Sequence, residues 1–482
     1  MEIKAKSEVA LIFEKYIKNI EEYNGFMEKL FREISKITLF FIENSEIKKD
    51  DLIKRMKENI TVLINYISKL DEKNNNDIYR CLSCIFGAFL GDAEGGYCEF
   101  KGPNKNNYKN IFSGNPIFGD SPGQVTDDSE MAMSCAFALM DNPEFSEINS
   151  DYLYYYYGLW HLSRPRDEGN TTRKALKLFK PIDFDPNKNN NYELYFKQIV
   201  NNNYQSLANG FLMRTSPLIV WIYYRHNTQI VQTFQNDNNS KELFELFQLI
   251  RNIVIKDNIC THPNDTLSIA HSIFCIMALG AICELKPSQI LKNVEILITN
   301  NEFFKQNECK NIVNMIFSEL TYYHKNKENL KDDEACFNYF TKGEKNVKSH
   351  MGLYYHAFRL TLYYLYFFDE IKEEEKTTKY RTIMNQICNF GGDTDTNAAI
   401  VGTVIGPLIG YHNFGKDEFY TMVSLIPKKR YIYSPALMVI FVYFLKDNIN
   451  NNKEFKANFL KMLLTMLYEK IDINNLKNIF TN

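Results

Sequence analysis

The feature that most limits the possible folds is a pair of glycine rows with helical spacing. Each row places a glycine at every fourth position of a largely apolar stretch, and the six residues are Gly87, Gly91, Gly95, Gly402, Gly406 and Gly410. Residues four apart lie on one face of an α-helix, and glycine there lets two backbones approach closely. No Gly-Lys-Ser/Thr follows either row, which excludes a phosphate-binding P-loop. The rows therefore predict tight packing between helices.

Helical periodicity dominates the chain from residue 78 onward, and the alternation typical of strands is scarce. Candidate helices cover 78–90, 129–140, 152–162, 266–283, 353–368 and 397–409. We interpret the charged stretch 323–348 and the Asn-rich segment 201–203 as inserted loops. The predicted fold class is all-α.

The length of 482 residues exceeds that of a usual single domain. Apolar residues recur at helical spacing through the first 70 residues, and a polar run over 71–77 is typical of a linker. We predict an N-terminal helical extension over 1–73 and a main domain over 78–482. We expect the extension to pack on the main domain, and a separate partner-binding module is the alternative.

Composition excludes several functional classes. A net charge of −3 gives no electrostatic reason to expect nucleic acid or an anionic membrane as partner. The ten cysteines are scattered, which argues against a zinc site or a disulfide framework. The charged N-terminus does not resemble a signal peptide, and the longest apolar run, 436–445, is about half of a bilayer span. We expect a cytoplasmic monomer without a membrane anchor.

Two acid-rich segments, far apart in sequence, suggest the chemistry. GQVTDDSEMAM covers 123–133 and FGGDTDTNAAIVG covers 390–402, and each runs into a predicted helix. Together they supply the oxygen donors of Thr126, Asp127, Asp128, Asp393, Asp395 and Thr396. Such hard ligands suit Mg²⁺ or Mn²⁺ and not zinc. If the segments meet in the fold, the chain is a metal-dependent enzyme.

Each acidic segment also has a simpler interpretation. Asp, Ser and Thr are preferred helix N-caps, and acids in the first turn suit the helix dipole. A calcium-binding EF-hand is excluded, because Ala398 stands where that loop requires glycine and Val404 where it requires a bidentate glutamate.

Five segments, taken in order, resemble the ADP-ribosylglycohydrolase family. They are GAFLGDAEGGYCEF, GQVTDDSEMA, SLANGFLMRTSPL, THPNDTLSIAHSIF and GGDTDTNAAIVGTVIG, which begin at residues 87, 123, 206, 261 and 391. The resemblance covers about 78–443. It implies a compact orthogonal helical domain with two Mg²⁺ ions, or Mn²⁺ in some members. The implied reaction is hydrolysis of the bond between ADP-ribose and a modified protein side chain or small acceptor.

The resemblance also implies roles for single residues. The metal ligands would be Thr126, Asp127, Asp128, Asp393, Asp395 and Thr396. Glu99 would be the general acid/base, with Asp128 as a second catalytic residue. Asp92 would order the loop behind the ligands.

Four further residues would bind substrate. Ser206, Asn209 and Gly210 would hold the diphosphate and distal ribose, and His262 the adenosine side. The chain departs from the family pattern at Ser129, where many members have threonine, and at Ala208, where glycine is frequent. We expect little effect from Ser129. We interpret Arg214 as a structural salt-bridge partner.

The favoured function is a metal-dependent ADP-ribosyl glycohydrolase acting on arginine- or serine-linked ADP-ribose. O-acetyl-ADP-ribose and poly(ADP-ribose) remain open as substrates. The expected partner is ADP-ribose or an ADP-ribosylated protein. One alternative is a non-catalytic ADP-ribose-binding protein, and another is a toxin-neutralising protein whose N-terminal extension contacts a protein partner.

Overall fold

A computed structural model describes residues 76–106, 108, 111–142, 147–180, 192–236, 240–368, 375–425 and 433–450. These residues form an all-α fold, in which Ala208 and Leu353 make an isolated β-bridge. The helices in chain order are α1 (Asn76–Gly95), α2 (Asp127–Asp141), α3 (Ser150–Leu162), α4 (Asn170–Leu176), α5 (Tyr192–Asn203), α6 (Ser216–Gln235), α7 (Ser240–Asn258), α8 (Asp265–Ile282), α9 (Pro287–Thr299), α10 (Asn307–Lys325), α11 (Lys327–Leu330), α12 (Asp333–Thr341), α13 (Tyr354–Phe368), α14 (Lys376–Phe390), α15 (Thr394–Ile409), α16 (Lys416–Ser424) and α17 (Leu437–Asn450).

Helices α1 and α15 run antiparallel and approach closely along their glycines. A methyl group added at Gly87 would overlap the carbonyl oxygen of Gly402, and one added at Gly95 would overlap that of Thr394. This confirms the tight packing that the glycine spacing predicts. Gly410 is the exception, since it follows the last turn of α15 with a φ of +80° and ends the helix.

Helix α15 is the centre of the fold. All of its residues are buried, and α1, α8, α13 and α14 pack around it. Its sequence, TDTNAAIVGTVIGPLI, is small or apolar on nearly every face, as a helix enclosed on all sides requires. The antiparallel arrangement places the first turn of α15, with Asp395 and Thr396, beside the C-terminal end of α1.

Within the described residues, one helix is long and apolar enough to cross a membrane by length and composition. It is α8, Asp265–Ile282, and 89% of the apolar window is buried inside the protein. That burial is typical of a core helix.

The six helices predicted from the sequence are all present, although several begin earlier than predicted. Helix α15 begins at Thr394 and not at residue 397, and α2 begins at Asp127 and not at 129. The interpretation of 323–348 as a loop is wrong, since this stretch contains the end of α10 and all of α11 and α12. Residues 201–203 are likewise helical. The predicted extension over 1–73 lies outside the described residues, and the division into two parts stays a prediction.

Candidate active site

The two acid-rich segments meet at the N-terminal ends of α2 and α15. Thr126 and Asp393 occupy the N-cap positions, but neither side chain accepts a hydrogen bond from its own helix. Thr126 Oγ1 lies 2.8 Å from Asp128 Oδ2 and 3.5 Å from Asp395 Oδ2. Asp393 Oδ2 accepts a hydrogen bond of 2.7 Å from Asn209 Nδ2. Ordinary helix capping therefore does not account for these side chains.

Asp92, near the C-terminal end of α1, holds the first acidic segment in place. Its carboxylate accepts hydrogen bonds from the backbone N–H groups of Thr126 at 3.0 Å and Ser129 at 3.1 Å. The side-chain hydroxyls of Thr126 and Ser129 also lie within hydrogen-bonding distance of the Asp92 carboxylate. Burial raises the pKa of Asp92 to about 6, and the bonds from Ser129 and Thr126 oppose that rise. This geometry supports the ordering role proposed for Asp92, and it gives Ser129 a part in that role.

Three buried carboxylates converge at this point. Oxygen atoms of Asp92, Asp128 and Asp395 all lie within 4.8 Å of one another. Burial raises the pKa of Asp128 and Asp395 well above the ordinary range, and Glu99 adds to the rise at Asp395. Two carboxylates about 4 Å apart repel by about 4 kcal/mol at an effective dielectric of 20. The cluster therefore favours the uptake of protons or cations.

The donor set fits a hard divalent cation. Asp128 Oδ1 is buried and has no hydrogen-bond partner among the residues that the structure describes. Asp127 and Asp393 are half-buried, and burial is the main cause that raises the pKa of both. Thr396 donates its backbone N–H to Asp395 Oδ1 at 2.9 Å. Of the predicted ligands, Asp128 and Asp395 meet in this cluster together with Asp92. Carboxylate and hydroxyl oxygens are the donors that Mg²⁺ and Mn²⁺ accept.

Glu99 reaches the same cluster from the loop that follows α1. It is buried, and its Oε2 accepts a hydrogen bond of 3.1 Å from Asn115 Nδ2. Burial raises the pKa of Glu99 to about 9, and the charges of Asp167, Asp393 and Asp127 add to the rise. A cation bound among the aspartates would offset their negative charges and so oppose their part in raising the pKa of Glu99. A carboxyl group that keeps its proton near neutral pH suits a general acid.

The segment 206–210 lies against the loop before α13. The backbone N–H of Asn209 donates to the carbonyl of Gly352 at 2.9 Å, and that of Tyr354 donates to the carbonyl of Leu207 at 3.1 Å. These bonds fix the segment while the Asn209 side chain contacts Asp393. One predicted substrate residue is thus joined directly to a predicted metal ligand.

The other predicted substrate residues lie in the same segment or, in the case of His262, against it. A Cβ atom at Gly210 would stand 2.9 Å from Cε1 of His262, so only glycine fits against this ring without movement. His262 is buried, its Nδ1 lies 2.8 Å from Thr261 Oγ1, and burial holds its pKa well below the ordinary value. The ring is therefore neutral near pH 7. Ser206 Oγ lies 2.8 Å from Thr171 Oγ1.

Arg214 lies behind this segment, and its contacts confirm the salt-bridge role that the sequence predicts for this residue. The side chain is fully buried, with Nη2 at 3.0 Å from Asp257 Oδ2 and Nη1 donating to Thr261 Oγ1 at 2.8 Å. Its guanidinium group also stacks over the ring of Tyr157. Since Thr261 contacts both Arg214 and His262, the ion pair supports the position of the histidine.

Sequence reasoning missed three residues of the site. Asn115 holds Glu99, Asp167 raises the pKa of Glu99 and Asp127, and the carbonyl of Gly352 holds Asn209. Asn115 and Gly352 carry no local signal, because their roles depend on contacts across long stretches of sequence. Asp167 lies in WHLSRPRDEG, 160–169, which resembles a W-x-x-S-x-P-x-D-x-G pattern of the same family as the five segments, and that resemblance could have marked it.

Comparisons with known proteins show the family to which the chain is similar. A family model described as ADP-ribosylglycohydrolase matches residues 74–417, which is more than half of the chain. A protein of Acanthamoeba polyphaga mimivirus that is named as an ADP-ribosyl glycohydrolase is 26% identical over 348 residues, covering 70% of this chain and 89% of that protein.

Two other similarities cover different shares of the chain. The ADP-ribosyl-dinitrogen reductase glycohydrolase of Rhodospirillum rubrum is 31% identical over 106 residues, which is 21% of this chain and 34% of that protein. A solved chain of an ADP-ribosylglycohydrolase-related protein complex superposes with a TM-score of 0.48 and 16% identity, covering 77% of this chain and 99% of that one.

Proposed function

This chain belongs to the ADP-ribosylglycohydrolase family, and we propose that it hydrolyses the bond between ADP-ribose and a modified protein side chain. The observation that carries the proposal is the convergence of the acidic residues before and within α2 and α15 beside Glu99. The capping interpretation is disfavoured because Thr126 and Asp393 do not cap their helices. A protein that only binds ADP-ribose has no need of a buried glutamate beside these aspartates.

We assign the metal site to Thr126, Asp127, Asp128, Asp393, Asp395 and Thr396, which would hold a pair of Mg²⁺ ions or Mn²⁺. When bound, such ions neutralise the carboxylates and orient ribose hydroxyls and water. The N-terminal ends of α2 and α15 also favour the negative charge of these ligands. Asp92 contributes by fixing the segment 126–129 through its hydrogen bonds.

In this proposal Glu99 moves the proton. Its carboxyl group protonates the leaving acceptor atom as the glycosidic bond breaks, and the resulting carboxylate takes a proton from the attacking water. Asn115 orients the glutamate through its bond to Oε2. We assign Asp128 a second role, in which its carboxylate accepts a hydrogen bond from that water.

The substrate's nucleotide portion would lie along 206–210. Backbone N–H groups and the absence of a side chain at Gly210 allow the close approach of a diphosphate. Asn209 joins this segment to Asp393 and thereby sets the distance between the diphosphate and the ribose that reacts. His262, being neutral, would present a hydrogen-bonding ring to the adenosine side and not a positive charge.

A direct test incubates the full chain with arginine- and serine-ADP-ribosylated peptides, with Mg²⁺ or with a chelator. We expect metal-dependent release of free ADP-ribose, its loss in Asp395→Ala and a strong reduction in Glu99→Gln. Equal turnover by wild type and Asp395→Ala would overturn the metal mechanism. Full activity in Glu99→Gln would remove only the acid/base role of Glu99.

A further inference from the structure

An exposed apolar cluster stands immediately beside Glu99. Phe100 is 51% exposed and Ile117 is 62% exposed, which is high for side chains of this size. Phe118 is half-buried, and its ring centroid lies 6.2 Å from that of Phe100 in an edge-to-face arrangement. We name these three residues the apolar rim. Contiguous exposed apolar residues on a folded protein commonly mark a binding surface.

The rim is joined to the catalytic glutamate by Asn115. The Asn115 side chain donates from Nδ2 to Glu99 Oε2 at 3.1 Å, and its Oδ1 accepts from the backbone N–H of Ile117 at 3.0 Å. An ion pair between Arg166 and Asp120 ties the same loop to the segment that carries Asp167. The position of Ile117 is therefore fixed relative to Glu99.

The backbone at Phe100 is held in an unusual conformation. Its φ is +64°, in the left-handed region that bulky residues rarely adopt. Such a conformation costs free energy and persists where the surroundings impose it, often at functional sites. At this position two consecutive side chains differ in exposure: Glu99 is buried, and the Phe100 ring is exposed.

The rim lies on the acceptor side of the proposed reaction. The nucleotide-binding segment reaches the acidic cluster through the bond between Asn209 and Asp393, whereas the rim reaches it through Asn115 and Glu99. Glu99 is the group proposed to protonate the leaving acceptor atom. Whatever carries that atom must therefore lie next to the residues that surround Glu99.

We propose that the apolar rim binds an apolar side chain next to the modified residue of a protein substrate. The inference rests on the proposed function and narrows the substrate class to proteins or peptides with such a neighbour. A small conjugate such as O-acetyl-ADP-ribose has no flanking residue that could cover Phe100 and Ile117. Covering them removes apolar surface from water, which favours the bound protein.

The test compares two ADP-ribosylated peptides that share one linkage and differ only in the residues flanking the modified one, leucine in one and serine in the other. Burial of one leucine at a partly open surface predicts a kcat/KM about tenfold higher for the leucine peptide, which corresponds to about 1.4 kcal/mol. In Ile117→Ser the ratio should fall to about one. Phe100→Gly removes the ring while glycine tolerates the positive φ, and this variant should also lower the ratio.

The matched control is Leu194→Ser, since Leu194 on α5 is 55% exposed and belongs to no part of the proposed site. This variant should keep the wild-type ratio. Equal rates on the two peptides in the wild type, or an unchanged ratio in Ile117→Ser, would overturn the rim alone. Failure to release ADP-ribose from either peptide with Mg²⁺ would overturn the proposed function as well. A dimer that Ile117→Ser converts to a monomer would make the rim a contact between copies and also overturn the inference.

Discussion

Replacement of Asp92 by asparagine tests how the acidic cluster is held together. The carboxylate receives the backbone N–H groups of Thr126 and Ser129 and lies within bonding distance of both hydroxyls. An amide offers one acceptor oxygen and presents an NH₂ group to the remaining donors, so about two of the four bonds are lost. Hydrogen bonds to a charged group contribute about 1.5–3 kcal/mol each, which makes the loss about 3–6 kcal/mol.

Burial of the Asp92 charge acts in the opposite direction. The pKa of Asp92 rises from 3.8 to about 6, and a rise of that size corresponds to about 3 kcal/mol against the ionised form near neutral pH. That rise is what remains after the hydrogen bonds have opposed a larger effect of burial. Asparagine carries no charge to desolvate, so the net loss of unfolding free energy is smaller than the about 3–6 kcal/mol of the lost bonds. The effect on the metal is a separate one, because loss of a group that orients ligands lowers metal affinity by about 10–100-fold.

The assay is a titration with Mg²⁺ or Mn²⁺, followed by the rise in Tm. For Asp92→Asn we expect the concentration at half-maximal stabilisation to increase at least about tenfold. The control is Asp417→Asn, an exposed acid in the first turn of α16, for which the midpoint should not change. A midpoint in Asp92→Asn equal to that of the wild type would refute the reasoning, even if the Tm without metal fell.

Two further outcomes follow from the packing and the charges. Gly402→Ala should lower the Tm by several degrees, because the added methyl group overlaps the Gly87 carbonyl. The control is Gly169→Ala, where an added Cβ meets nothing within 4 Å and the Tm should not fall in this way. Without metal, the unfolding free energy should decline as pH rises from about 4.5 toward 9, because Glu99 has a raised pKa of about 9 in the folded protein and its contribution is lost as it ionises. Thermal unfolding in chelator should show a shallower decline for Glu99→Gln, and identical slopes would contradict this origin.

The helical core was predictable, and the candidate ligands could be named, because the signals for both are local. The glycine spacing of α1 and α15 is visible within a short stretch of sequence, and so are the acids at the start of α2 and α15. The sequence also predicts that Arg214 is a salt-bridge partner, and its ion pair with Asp257 confirms this. The start of α15 was placed too late, because the polar residues Thr394, Asp395 and Thr396 conceal a first turn that is fully buried.

The stretch 323–348 shows what local patterns cannot give. Its charges resemble those of a loop, yet Lys345 bonds to the buried Glu319 at 2.6 Å, and Arg359 lies 3.1 Å from the same carboxylate. Tyr323 and Tyr339 donate to the other oxygen of Glu319. These partners lie on α10, α12, α13 and the turn 343–345, so only the tertiary fold shows that the charges are neutralised. For the same reason, the roles of Asn115 and Gly352 had no sequence signal.

The most direct measurement of the central claim is the location of manganese by anomalous diffraction, in crystals of the full chain grown with Mn²⁺. The account predicts anomalous peaks between Asp128 and Asp395, within coordination distance of carboxylate oxygens from both helix ends. Peaks bound to one of these aspartates only, or found elsewhere on the protein, would contradict a metal site shared by the two segments.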